Sequence, residues 1–161
     1  IITAPRSGGG PNILVFDLDD NEKIREKDNF MAYDENYRGG IALATGDLDG
    51  DGDKELITAP TYNGGPNVRV YQHRDEGENS KYSNLMDWVM PYSRSFTGGV
   101  ELAVADINND GQAEIVVAPK GNGGPNVRLY RLINGEIKLY DWFWAYGQDF
   151  HGGVNLAVGV R

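Results

Sequence analysis

DLDGDGDKE, from Asp47 to Glu55, returns as DINNDGQAE, from Asp106 to Glu114, and the segments on either side return with it. Asp47, Asp49 and Asp51 stand at positions one, three and five of the first stretch, Gly52 at six and Glu55 at nine. Asp106, Asn108, Asp110, Gly111 and Glu114 take the same places in the second. In a tightly turned loop, alternate side chains can aim their oxygens at one centre, and glycine permits the positive φ that such a turn uses. An all-oxygen set suits a hard cation. Calcium takes about six to eight such ligands in flexible geometry, magnesium keeps more of its waters, and zinc prefers nitrogen or sulfur. The two loops therefore point to two calcium sites.

A single Asp/Gly cluster is ordinarily a solvated hairpin turn; its recurrence in register is what weighs against that here. DLDDNE, Asp17 to Glu22, also has acidic spacing, but it falls where the later copies read YQHRDE and YRLING, and is expected to be a plain turn. An EF-hand would open with the same pattern, yet it closes with glutamate at position twelve between helices. Position twelve here is Thr58 or Val117, and the flanks IALATGDL and ELITAP read as strands.

Outward from the loops the repetition covers the chain. IITAPRSGGGPNILVF, from Ile1, returns as LITAPTYNGGPNVRVY from Leu56 and IVVAPKGNGGPNVRLY from Ile115, with Pro5, Pro60 and Pro119 spaced by 55 and 59 residues. That period, with four strand-like runs between turn signals, matches a propeller blade. Counted from the end of each acidic loop, the copies are 1–55, 56–114 and a third, 115–161, that stops before its loop. The turns are carried by Gly9, Gly10 and Pro11 and their counterparts Gly64, Gly65, Pro66 and Gly123, Gly124, Pro125, while pairs at Gly39, Gly98 and Gly152 begin the strand leading into the loop. That strand sets Ile41, Leu43 and Thr45 against Ala42, Ala44 and Gly46. The small face suits the crowded centre of a radial assembly, so it is read as the innermost strand. The last run of each copy carries aromatics, Phe30 and Tyr33, Trp88 and Tyr92, then Trp142, Phe143, Trp144 and Tyr146, expected to fill the gaps between blades.

With 161 residues the chain can hold one domain with a real core. A net charge of -9 and no basic stripe argue against nucleic acid. There is no cysteine for a disulfide framework, and no apolar run is long enough to span a bilayer, so no membrane insertion is expected; no signal peptide precedes Ile1, and any export signal is expected to have been removed or to lie outside this chain. No catalytic constellation assembles: His73 and His151 occupy different parts of the repeat and read as surface histidines, and the clustered carboxylates are explained by a cation. The NGGPN loops lack the lysine, serine and helix of a phosphate cradle.

FTGGVELAVADINNDGQAEIVVAP, Phe96 to Pro119, and YRGGIALATGDLDGDGDKELITAP resemble the FG-GAP repeat of integrin-α-type β-propellers and their bacterial relatives. The resemblance implies an all-β fold of four-stranded antiparallel blades with calcium between the first two strands of a blade. Carried onto this chain, the ligands are the side chains of Asp47, Asp49, Asp51 and Glu55 with the carbonyl of Asp53, and those of Asp106, Asn108, Asp110 and Glu114 with the carbonyl of Gln112. GAP appears here as TAP or VAP, and one extra residue follows the aromatic of FG.

Three blades do not close a ring, since propellers typically use about four to eight. The expectation is a piece of a larger propeller, a two-chain ring, or an open array in which NLAVGV pairs with the IITAP strand of another copy. The expected function is a non-catalytic, calcium-stabilised module of an extracellular or cell-surface protein, presenting loops to a protein or glycan in adhesion. A structural array subunit and a carbohydrate-binding lectin are the alternatives.

Overall fold

The computed structural model describes residues 1–74 and 81–159. β-Branched and aromatic runs broken by Gly, Pro and Asn make strands rather than helices, and the described residues form eleven: β1 (Ile2–Thr3), β2 (Asn12–Leu18), β3 (Ile24–Met31), β4 (Ile41–Gly46), β5 (Glu55–Pro60), β6 (Val68–Arg74), β7 (Lys81–Val89), β8 (Val100–Ala105), β9 (Glu114–Pro119), β10 (Asn126–Ile133) and β11 (Glu136–Trp144). They build three antiparallel sheets in chain order, β1-β2-β3, β4-β5-β6-β7 and β8-β9-β10-β11. The chain is all-β, with propeller-like blades. No helix among the described residues is long and apolar enough to cross a membrane.

The sheets are phased one strand earlier than copies counted from the loops. β4, which leads into the first acidic loop, pairs with β5, which leaves it, in the register Ile41↔Pro60 to Gly46↔Glu55. β8 and β9 repeat this from Val100↔Pro119 to Ala105↔Glu114. Each acidic loop is thus the hairpin between the first two strands of a four-stranded sheet.

β5 and β9 are buried at every residue, ELITAP and EIVVAP alike. A half-covered strand would alternate; these do not, because a neighbouring layer covers each face. Leu56 packs with Ile13, Ala32, Ile41 and Tyr71 toward the first sheet. Ile57 and Ala59 meet Val100, Ile115 and Val117 of the third. Full burial of a side chain such as Leu56 or Ile57 contributes about 1.5–3 kcal/mol before entropy is counted.

The small face of β4 has a local cause. A Cβ on Gly46 would lie 2.4 Å from Cγ1 of Val104 and 3.0 Å from Cβ of Ala113, so it is the adjacent sheet, through β8, that excludes a side chain. The glycine pairs meet a similar limit: Gly40 and Gly99 adopt φ +84° and +82°, and a Cβ on them would sit 1.8 Å and 1.9 Å from the carbonyl oxygens of Arg6 and Thr61.

Between sheets, Tyr33 and Tyr92 behave as expected, whereas the tryptophans, Phe143 and the 58% exposed Tyr146 do not. The Tyr33 hydroxyl donates to the Asn67 carbonyl at 2.9 Å, while the Arg69 guanidinium lies over the Tyr33 ring, 4.7 Å from its centroid, and donates to the Ala32 carbonyl. Tyr92 and Arg128 repeat the latch one sheet on, through the carbonyls of Asn126 and Pro91. Trp88, Trp142, Phe143 and Trp144 are 42–52% exposed rather than filling a gap. They point off the sheets at positions where Met86 and Val89 supply the second sheet's packing against the third.

The turn expected at DLDDNE is present: Asp19 Oδ1 accepts the N–H groups of Asn21 and Lys23 between β2 and β3. Its counterpart at YQHRDE runs into residues outside the described ones. NLAVGV is not a strand over residues 155–159, and Val160 lies outside the described residues. No described segment lies alongside to form a ladder with it. Val154, Leu156 and Val158 nonetheless pack on Val116, Ala118 and Val127, on the far face of the third sheet.

Candidate metal centre

The two acidic hairpins share one scaffold. In the first, Asp47 Oδ1 and Oδ2 accept the N–H groups of Gly50 and Gly52 at 2.7 and 3.0 Å. Asp49 accepts from Asp51, and Asp51 from Asp53, winding the loop inward. Glu55 starts β5 and turns back under the loop, where its Oε2 accepts the Leu48 N–H at 2.8 Å. Leu48 itself is buried in the core between the second and third sheets and anchors the loop from below. The glycine at position six has the positive φ anticipated for it, +96° at Gly52 and +91° at Gly111.

The second loop is built likewise. Asp106 accepts from Asp110 and Gly111 at 3.1 and 2.9 Å, Asp110 from Gln112 at 2.9 Å, and Glu114 Oε2 from Ile107 at 2.9 Å. The hairpins also touch. Ala113 donates its N–H to the Asp47 carbonyl at 2.6 Å, and the Gln112 side chain donates to the Asp49 carbonyl at 2.8 Å.

Their oxygens are used differently. In the first loop, carboxylate oxygens of Asp47, Asp49 and Glu55 lie within 4.8 Å of one another. Asp51 is outside that set, and the Asp53 side chain faces His73, with Oδ2 3.7 Å from Nδ1. Glu55 is 1% exposed, and its Oε1 is buried with no hydrogen-bond partner among the described residues. A buried carboxylate oxygen left unpaired is expensive. Burial is the main cause that pushes the Glu55 carboxyl up to about 7; the Leu48 N–H opposes it, and the charges of Asp49 and Asp51 add to it. Burial likewise raises Asp49, with Asp51 and Asp47 contributing. The donors would fit a divalent cation such as calcium: all are oxygens on a flexible hairpin. Asp47, Asp49 and Glu55 would hold it, and the ion would supply the charge that lets three carboxylates converge.

In the second loop the corresponding oxygen is taken. Glu114 Oε1 lies 2.8 Å from Nη2 of Arg131, whose Nη1 is 3.7 Å from Asp110 Oδ2, and the guanidinium stacks on Tyr140, 3.9 Å from the ring centroid. Asn108 Nδ2 donates to Asp110 Oδ2 at 2.7 Å. That bond, the Gln112 N–H and the nearby Arg131 charge hold the Asp110 carboxyl below its ordinary value. Among the described residues no comparable group of converging carboxylates forms here. The set does not fit a second divalent ion in the way the first does.

Arg131 is the residue that sequence reasoning passed over. The register that places Tyr130 opposite Ile115 carries the next residue, Arg131, to Glu114; Leu56↔Tyr71 carries Gln72 to Glu55 in the same way. The signal was available in the aligned copies, YQ against YR, but only once the neighbouring strand was known to run beside the closing glutamate. His73, read as a surface histidine, is half-buried and stacks on Tyr82 with ring centroids 4.8 Å apart, whereas His151 is exposed.

Residues 47–117, from the opening aspartate of the first loop into β9, match the model of the FG-GAP-like repeat. Comparison with curated proteins and with solved structures returns no match. The matched stretch, which carries both acidic loops and the strands between them, is similar to the FG-GAP-like repeat.

Proposed function

We propose that this chain is a non-catalytic, calcium-stabilised module of propeller type, carried by an extracellular or cell-surface protein and presenting its loops to a protein or glycan partner in adhesion. The observation that supports it most is the orphaned Glu55 Oε1, fully buried beside the oxygens of Asp47 and Asp49. Calcium is structural in this reading. It neutralises carboxylates that otherwise repel and ties the β4–β5 hairpin to the sheet edge. Extracellular modules of this kind work at affinities of about 10⁻⁴ to 10⁻³ M, suited to ambient calcium and not to a cytosolic sensor. Calorimetric titration of calcium into chelator-treated protein tests it. Binding with a raised melting temperature supports the reading, and no heat at millimolar calcium sinks it.

A lectin reading is favoured by one observation: the exposed indoles line two equivalent clefts. One is bounded by Tyr37, Arg69, Trp88 and Arg94, the other by Phe96, Arg128, Trp142 and Trp144, each about 450–510 Å³. Indole faces beside guanidinium donors suit pyranose rings. A glycan array with wild type and Trp142→Ala decides it, since binding that survives the substitution would remove this cleft from consideration.

A further inference from the structure

We infer that the two acidic hairpins are not equivalent ion sites: Arg131 is a built-in cation for the second, so the chain takes its divalent ion at the first. This rests on the calcium reading for the first hairpin and departs from the repeat pattern for the second.

The comparison is internally controlled, because the same chain contains the loop with and without the arginine. Glu55 and Glu114 start equivalent strands, are 1% and 2% exposed, and each gives Oε2 to the N–H at position two of its loop. Their Oε1 atoms differ: that of Glu55 has no hydrogen-bond partner among the described residues, and that of Glu114 is 2.8 Å from a guanidinium nitrogen. Three further differences run the same way. Arg131 is replaced by the uncharged Gln72 beside the first loop. Tyr140, on which Arg131 stacks, is replaced by Met86, which offers no π face to hold a guanidinium. At position three, the acidic Asp49 corresponds to Asn108, whose amide is turned onto Asp110, so the second loop has one carboxylate fewer to attract an ion.

A guanidinium is suited to this substitution. It stays charged at any relevant pH and can reach two carboxylates at once from a rigid plane. It contacts Glu114 and Asp110, at the positions that close the loop and that precede its glycine. An ion entering there would have to displace Arg131 from a partner that is almost wholly buried.

The test is calcium titration, read as ions bound per chain, on chelator-treated wild type, Arg131→Gln and Gln72→Arg. Arg131→Gln installs the first loop's neighbour beside the second and is expected to bind one ion more than wild type. Gln72→Arg is expected to weaken the first site at least about tenfold, one factor of ten being about 1.4 kcal/mol. An unchanged ion count on Arg131→Gln overturns the inference, whether wild type binds one ion or two. Should Arg131→Gln not fold, Gln72→Arg decides, because unaltered affinity there shows that a guanidinium at this register does not compete. Absence of binding to wild type overturns the calcium reading, while a site gained in Arg131→Gln would still uphold the role of Arg131.

Discussion

The hairpins β4–β5 and β8–β9 solve the same electrostatic problem from opposite sides. Both fold a run of acidic residues over a glutamate at the start of a fully buried strand, and both use position-one and position-five carboxylates to cap the loop's own N–H groups. The glutamate is the costly member, since burial disfavours its charge. At Glu114 the compensating charge is covalently part of the chain, one strand away. At Glu55 nothing in the described chain meets Oε1, and the carboxyl is pushed up to about 7, chiefly by burial. An acidic repeat motif therefore does not by itself say where its countercharge comes from; the cross-strand neighbour of the closing glutamate does.

The comparison can be broken most decisively at the glutamates. Glu114→Gln strands Arg131 beside a neutral amide, and in chelator it should lose roughly 2–3 kcal/mol, between the values typical of surface and of fully buried pairs because the guanidinium is partly exposed. Glu55→Gln in chelator should show no loss or a small gain, since it removes an unpaired buried charge and retains an acceptor for the Leu48 N–H. Urea unfolding of both variants checks this, and equal losses would mean the two sites are alike after all.

Calcium removal comes next in size. At a free ion concentration about a hundredfold above Kd, one site stabilises the folded state by about 2.7 kcal/mol. The melting temperature of wild type should fall on chelation by the amount that one such site supplies, and that of Glu55→Gln should barely respond. Differential scanning calorimetry at matched ionic strength measures both, and a full calcium response in Glu55→Gln would dismiss Glu55 as a ligand.

Two smaller effects sharpen the contrast. Tyr140→Ala removes the surface that orients Arg131 and should cost about 0.5–1 kcal/mol, whereas Met86→Ala should leave calcium affinity at the first loop unchanged. Gln112→Ala deletes the hydrogen bond from the second hairpin to the Asp49 carbonyl, worth about 0.5–1.5 kcal/mol. It should weaken calcium binding at the first loop slightly by loosening the backbone around Asp49. If Gln112→Ala leaves affinity and stability untouched, the hairpins act independently.

Much of this was legible without coordinates. Repeats, glycine pairs and strand-like runs predict units of four strands, the family resemblance implies antiparallel blades with the acidic loop between the first two strands, and the loops are there, wound by their own aspartates. These are local properties: side-chain period, turn chemistry and short-range hydrogen bonds depend on residues a few positions apart. The tryptophans were read less well. Trp88 sits in the same kind of run as Tyr92, but which aromatic is covered depends on where the next sheet lies, and the latch of Tyr92 with Arg128 joins residues 36 positions apart in sequence.

What the sequence by itself determined is the repeat, its strand count and the acidic loops, because each is encoded within one copy and then copied. Which oxygens remain unpaired was decided only by the tertiary structure. Leu48 had to sink between two sheets, Glu55 and Glu114 had to start buried strands, and β6 and β10 had to bring either Gln72 or Arg131 alongside. The charge balance of a buried carboxylate depends on everything within a few ångströms of it, and those neighbours come from separate strands.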